Sequence, residues 1–538
     1  DIATFAGELE KTIERLLSFP FVKVIVTCRS EYFSERFSNL QTASFSDSIY
    51  QAEEIQREMP ERHRRRMLNA YLHFFKIKRS YMSGKVGKTL QNDPLLLRFF
   101  CEAYGDPDAG KEIQLPAMAD IYREVVFRTY LDKKLQEVAA RQPAGSGVGI
   151  PLAQQYKNVL RGIVSTMVSD AVFSDVPISA LDNSLQPALS ELIAEDVFVR
   201  KDLVVGKSVL DPDAEVINFT FDEFRDFLVA DHLLNVVYEK AGEGVFIEKL
   251  TQYTTDQCPV AEGVSRFVFY TVKKPGKEAL HAAILAMPWY DRVFLPCIFS
   301  VEETCVTDDD ILRIKNEFSQ SNHKAQEVFF SLMVRWDTSV FLRLNIDLLF
   351  AILDDLGDAA FEQLVVPIFY NHRQRYNFAP KPPYEIERFT SDVHSLVTGM
   401  TLRWEEQYCK VVELLIYLFG IEGQNNDYPA HTLFQKLAAQ RPREAVDMLA
   451  KHCDSGPAVV RGRVWEMLAE LAAQGIQMPQ ALVDRAGAQF KIKGGVSRTH
   501  YEIGRFLKAC RDKLGMELPG EIVLSNPKRV LWYDFLEE

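Results

Sequence analysis

The sequence predicts a mainly α-helical chain that ends in an α-solenoid of irregular helical repeats. Three observations predict it. Apolar residues recur at helical spacing through most of the 538 residues. Runs of β type are short and confined to Phe21–Val26, Val197–Val199 and Val216–Phe221. From about residue 246 onward, helices of roughly 10–20 residues follow one another with short breaks and almost no strand signal. Helix pairs stacked side by side bury such faces against their neighbours.

The elements read in order as follows. Ile2, Phe5, Leu9, Ile13, Leu16 and Leu17 form one face of an amphipathic helix, and Phe21-Val22-Lys23-Val24-Ile25-Val26 reads as a buried strand. A lone helix and strand cannot complete a sheet, and the chain opens on Asp1 without an initiator Met, so an upstream portion is expected. Residues 46–112 read as a helical domain with apolar stretches Met67–Ile77 and Leu95–Tyr104. Residues 113–245 begin with a helix, Ile121–Leu135, then the Pro/Gly-rich break Gln142–Pro151. A helix (Leu152–Val168), a second helical stretch (Ile178–Glu195, with Pro187 as a candidate break) and the two short β runs follow. Phe224–Val237 closes the segment. Helix, helix and a two-stranded wing is a winged-helix pattern, with Leu181, Leu185, Leu189, Leu192 and Ile193 as its core stripe. Residues 246–538 include the helices Lys324–Arg335, Ala359–Tyr370, Glu405–Phe419 and Arg461–Ala473. Gly456–Arg461, leading into the last of these, looks like a HEAT-type unit. Tyr370–Tyr384 reads as a polar, proline-rich loop, either a linker or a binding element.

Composition bounds the function. A net charge of −13 argues against a surface built mainly to grip nucleic acid, while leaving room for a local basic patch. Cys28, Cys101, Cys258, Cys297, Cys305, Cys409, Cys453 and Cys510 form no CxxC pair and read as buried free thiols of a cytoplasmic protein. No apolar run approaches the ~18 residues of a membrane span. The ten histidines show no metal-type spacing. The basic cluster Glu61–Arg66 reads as a solvated face, since no aromatic platform is interleaved with it.

Three motifs carry chemistry. Lys23–Ser30 is a strand running into Thr27-Cys28-Arg29. An Arg at a strand's C-terminal end either reaches a nucleotide's terminal phosphate or pairs locally at the sheet edge. Asn92-Asp93-Pro94-Leu95-Leu96-Leu97 sets Pro at the first turn of a helix, where its missing N–H costs nothing. Phe219-Thr220-Phe221-Asp222-Glu223-Phe224-Arg225-Asp226-Phe227 is a strand turning into a helix, with acids at its N-terminus. Each of the last two also reads as an ordinary helix start.

In this order, with 65 residues from Arg29 to Pro94 and 125 more to Phe219, the three motifs resemble the STAND NTPases, specifically the NACHT-like and bacterial Avs antiviral type. The resemblance covers residues 1 to about 240. It implies the end of an α/β P-loop NTPase domain (1–45), a helical domain (46–112), a winged-helix domain (113–245) and a helical repeat sensor (246–538). It implies ATP or ADP with Mg2+, with Arg29 and Thr27 at the γ-phosphate and Pro94 and Leu95 at the adenine. It further implies a foreign, phage-derived protein bound at residues 246–538, homo-oligomerisation on activation, an N-terminal effector, and antiviral defence. Phe221 stands where many NACHT proteins have a phosphate-touching His, and Phe has no hydrogen-bond donor. The nearest match to a phosphate-binding loop is Met82–Thr89, with Met82 in place of its first Gly. It reads as a flexible loop, and no acidic Walker B strand is present, so this chain alone is not expected to hydrolyse ATP. A winged-helix transcriptional regulator and a HEAT-like scaffold are the alternatives. Glu191, Glu195 and Asp196 on the second winged-helix helix speak against groove reading.

Overall fold

A computed structural model describes residues 2–16, 19, 21–22, 45, 59, 61–79, 84–115, 121–141, 152–194, 197–203, 214–377, 395–419, 429–454, 458–492 and 498–519. The chain divides into two units, residues 1–60 and 61–538. In the first, α1 (Ile2–Leu16) forms as its apolar spacing predicts. The predicted strand does not begin at Phe21. The Val22 N–H donates to the Phe19 carbonyl at 3.0 Å, closing a turn, and Phe21 is 81% exposed. Lys23–Ser30, and with them Thr27 and Arg29, lie outside the described residues.

The second unit opens with α2 (Glu61–Phe74), α3 (Gly84–Asn92) and α4 (Pro94–Tyr104). Helix α3 corrects the loop expected over Met82–Thr89. Val86 and Leu90, four residues apart, are fully buried and fix a helical face there. Gly87-Lys88-Thr89 therefore sits inside a helix and cannot wrap a phosphate as a loop. Asp93 separates α3 from α4: its carboxylate accepts from the Leu96 N–H at 2.9 Å, with Pro94 as the first helical residue.

Helices α5 (Arg123–Arg141) and α6 (Leu152–Asp170) follow. A three-stranded antiparallel sheet then forms from β1 (Val176–Pro177), β2 (Phe198–Leu203) and β3 (Ala214–Phe219), in the order β1-β3-β2. Its register pairs Val176 with Ile217 and Phe198 with Phe219. Between β1 and β2 lie two short 3-10 turns and α7 (Gln186–Ala194), with Pro187 in the first turn of that helix. Of the predicted stripe, Leu181, Leu189 and Leu192 are buried, and Leu185 and Ile193 pack partly buried beside them.

Strand β3 leads through Phe221 into α8 (Asp222–His232), which runs on through a π turn, Leu233–Val237, into α9 (Tyr238–Tyr253). The remaining helices are α10 (Ala261–Val272), α11 (Glu278–Ile284), α12 (Tyr290–Ile298), α13 (Asp308–Gln320), α14 (Asn322–Met333), α15 (Ile346–Asp355) and α16 (Asp358–Asn377), then α17 (395–403), α18 (Tyr408–Phe419), α19 (Pro429–Gln440), α20 (Pro442–Lys451), α21 (Ala458–Ala473), α22 (Gln480–Ile492) and α23 (Arg498–Leu514). Helix α16 continues through Asn377, so the start of the loop expected from Tyr370 is helical, and 378–394 lie outside the described residues. The chain is mainly helical, and each late helix packs chiefly on the next one or two, as α14 does on α13, α15 and α16. Among the described residues, no helix is long and apolar enough to cross a membrane.

Of the described cysteines, Cys101, Cys297, Cys305, Cys453 and Cys510 are buried and unpaired. Burial pushes the Cys101, Cys453 and Cys510 thiols up to about 12, so they stay protonated. Cys258 is half-buried and Cys409 is exposed, so the expected burial does not extend to these two.

Candidate functional site

The second and third motifs, more than a hundred residues apart in sequence, meet at one junction. It is built from α4, α5, α8 and α10. Phe99, on the buried face of α4, is its centre. Its ring lies 4.8 Å from Phe127 and 4.6 Å from Tyr130 on α5, 5.1 Å from Phe221 and 5.9 Å from Phe224, with all but the last in edge-to-face contact. Phe127 touches Phe227 and Phe267, extending the cluster through α8 to α10. Edge-to-face packing sets the positive ring edge against a negative face, which adds to the burial of large apolar surface.

A charged clasp runs along the rim of this cluster. Arg123, the first residue of α5, donates one guanidinium nitrogen to Asp93 and the other to Glu223 at 2.8 Å. Arg123 thus joins the carboxylate that caps α4 to the first turn of α8. Arg266 on α10 approaches the same Glu223 oxygen at 3.5 Å and pairs with Glu262 at 2.5 Å. Burial works against charge on Arg123, but the Glu223 and Asp93 carboxylates outweigh it and hold its pKa above the ordinary arginine value. A fixed planar fork suits a group that must satisfy two carboxylates on different helices.

Beneath the clasp, Arg225 and Asp226 form a buried pair at 2.8 Å. Arg225 also donates to Asp222 at 3.0 Å and to the Phe173 carbonyl at 3.3 Å, tying α8 to the segment before β1. Gly263 lets α10 close onto this pair: a Cβ there would overlap the Asp226 carboxylate. Burial raises Asp226 to about 7, with Asp222 and Glu223 adding to the rise and Arg225 opposing it.

Of the site residues expected from the sequence, Pro94 and Leu95 are described. Both are half-buried at the start of α4, and Leu95 packs against the core. Phe221 is half-buried at the residue before α8, with its ring against Phe99 and the Arg98 guanidinium 5.0 Å from its centroid. Arg98 pairs in turn with Glu102 at 2.6 Å. Sequence reasoning missed Arg123, Arg98 and Arg266. Arg123 opens a helix like any surface residue, and its partners lie 30 and 100 positions away. The one local signal was the i, i+4 spacing of Arg98 with Glu102 and of Arg266 with Glu262.

Asp93 occupies the Leu96 N–H and is itself paired with Arg123. The N-terminus of α4 is therefore capped by its own acid. It suits a flat apolar contact on Pro94 better than a phosphate. Among the described residues, no cluster of three His, Cys, Asp or Glu side chains is placed to hold a metal ion. Comparison with known protein families, with characterised proteins and with solved structures gives no match.

Proposed function

We propose that this chain is part of a STAND-type nucleotide-controlled switch of the NACHT-like, antiviral kind. Residues 246–538 sense a foreign protein, and the response is nucleotide-dependent homo-oligomerisation that activates an effector. One observation carries most weight. The Pro94 helix and the Phe219–Ala230 segment, which the resemblance assigns to two domains of one switch, are clasped by Arg123 between Asp93 and Glu223 and by Phe99 against Phe221.

Further support comes from the three-stranded sheet with α6 and α7, which has the element order of a winged helix. The neighbour-on-neighbour packing of the late helices agrees with a repeat sensor. The capped N-terminus of α4 fits an adenine lying on Pro94 and Leu95. Arg29 and Thr27 would address the γ-phosphate. ATP or ADP with Mg2+ supplies the charge that biases one arrangement over the other. Gly87-Lys88-Thr89 is helical and does not supply the phosphate-binding loop in this reading. Phe221 gives the junction an aromatic contact where many NACHT proteins place a phosphate-touching His. A transcriptional regulator is the weaker reading, because α7 carries the half-buried Glu191 and no Lys or Arg.

The test is mass photometry of the protein expressed from its full reading frame. With ATP and the activating ligand, wild type should assemble into oligomers, and Arg29→Ala should stay unassembled. Failure of the wild type to bind ATP or ADP at all would overturn the reading.

A further inference from the structure

Helix α2 carries a feature that the switch does not use. Arg62, Arg65 and Arg66 are exposed on one side of it, in a stripe continued by Asn69 and His73. The stripe from Arg62 to His73 is about 16 Å long, at about 1.5 Å per residue. Arg79, also exposed, joins it by donating to the Asn69 side-chain oxygen at 2.8 Å. Four guanidiniums therefore share one face.

Among the described residues, none of the four meets a carboxylate. Arg62, Arg65 and Arg66 form no ion pair or hydrogen bond among the described residues. Arg79 is held by a neutral amide, and so is the neighbouring Arg64, which donates to Asn92 at 2.8 Å. Elsewhere many arginines are matched with acids, as Arg98, Arg123, Arg225, Arg313, Arg343 and Arg403 are, and the exposed Arg161 and Arg443, which form no ion pair among the described residues, stand singly rather than in a stripe. Asp106, close to the Phe75 carbonyl, turns its carboxylate onto the Asp108 N–H at 2.9 Å instead. The arrangement works against the helix itself. Arg62 repels Arg65 and Arg66 at i, i+3 and i, i+4, and all three sit at the positive end of the helix dipole.

The C-terminal end of α2 is aromatic, to one side of the stripe. Phe74 is 61% exposed and packs edge-to-face on Phe75 at 5.1 Å, which in turn stacks on Tyr71 at 6.4 Å. The sequence showed a basic cluster without a platform, and the structure supplies one where α2 ends. Guanidinium forks spaced by a helical turn match a backbone of repeating phosphates, and an exposed ring backed by others matches a base. A protein partner offering carboxylates would use the arginines but leave Phe74 unexplained.

We propose that the Arg62–Arg65–Arg66–Arg79 face of α2, with Phe74 at its end, binds single-stranded nucleic acid. Phosphates lie along the arginines and a base stacks on Phe74. Each arginine–phosphate contact releases a counterion, so binding is strongest at low salt and falls steeply as salt rises, against the long-range repulsion from a net charge of −13. This surface stands on α2 and on Arg79 just beyond it, and does not rest on the nucleotide-switch reading.

The experiment is fluorescence anisotropy of a labelled 20-nucleotide oligothymidine titrated with the full chain at two salt concentrations. Wild type should bind at low salt. R62Q/R65Q/R66Q should bind at least about tenfold more weakly, and its salt slope should be smaller by about 2, at about 0.7 per phosphate contact. Its melting temperature should not fall, because repulsion is removed. Phe74→Ala, a change at an exposed position, should weaken binding about fivefold or more with the salt slope unchanged. No binding by wild type at low salt overturns the proposal, as does equal binding by the triple variant or by Phe74→Ala. Binding of polyglutamate or of phosphatidylserine vesicles in place of the oligonucleotide would assign the face to an acidic protein or to a membrane and overturn it equally.

Discussion

The junction around Phe99 and the run of helices from α13 to α23 are both helical and both well buried, yet they are held together differently. In the run, each helix packs chiefly on the next one to three, as α21 does on α23 and α18 on α19, α20 and α21. Its stability is then close to a sum of neighbour terms. At the junction, one ring on α4 touches residues 28 to 125 positions downstream, and two carboxylates on different helices share one guanidinium. Damage there should spread, and damage in the run should stay local.

The sharpest way to break this contrast is a matched pair of truncations. Phe99→Ala and Phe506→Ala each remove a fully buried ring and should each cost about 3–5 kcal/mol. Phe506 packs on Trp465 at 5.3 Å. Hydrogen exchange should loosen α5, α8 and α10 together in Phe99→Ala, and only α21 to α23 in Phe506→Ala. Equal spreading in both would remove the distinction.

A pH titration probes the buried pair under the clasp. Asp226 titrates at about 7 in the fold against 3.8 ordinarily. A raised acid binds its proton more tightly folded than unfolded. Its contribution is therefore complete below about pH 4 and is lost as pH rises to 7. The loss is up to about 4 kcal/mol, at about 1.4 kcal/mol per unit. Urea midpoints across pH 4 to 7 should decline less steeply in Asp226→Asn than in wild type. Parallel curves would show that Asp226 keeps an ordinary pKa.

The clasp itself comes next in size. Arg123 and its partners are about a quarter exposed or less, so solvent screens them. Arg123→Gln should lower stability by about 1 kcal/mol. A double-mutant cycle with Glu223→Gln should recover a coupling of similar size. Smallest is the exposed Lys315–Asp355 pair of the helical run, 2.6 Å apart. Lys315→Ala should change stability by less than about 0.5 kcal/mol.

Much of the helical content was legible because it rests on local spacing. Leu152–Val168 was read and Leu152–Asp170 forms, and Val216–Phe221 was read where β3 spans Ala214–Phe219. The errors share a cause. The Gly87-Lys88-Thr89 segment looked like a loop by its residue types, but Val86 and Leu90 bury against elements that spacing cannot reveal. Strand β1 is two residues long and exists only because β3 offers an edge. The site was half legible. Pro94 and Phe221 stand out by type, whereas Arg123 matters only through Asp93 and Glu223, and Phe74 only because it stays exposed.

The central claim is that the Pro94 helix and the Phe219–Ala230 segment belong to one nucleotide-responsive switch. The most direct measurement is hydrogen exchange on the full-reading-frame protein, with ADP, with a non-hydrolysable ATP analogue and without nucleotide. The account predicts that protection of Pro94–Tyr104 and of Phe219–Ala230 changes on nucleotide addition, and in both segments together. Nucleotide-independent exchange in both segments would contradict it.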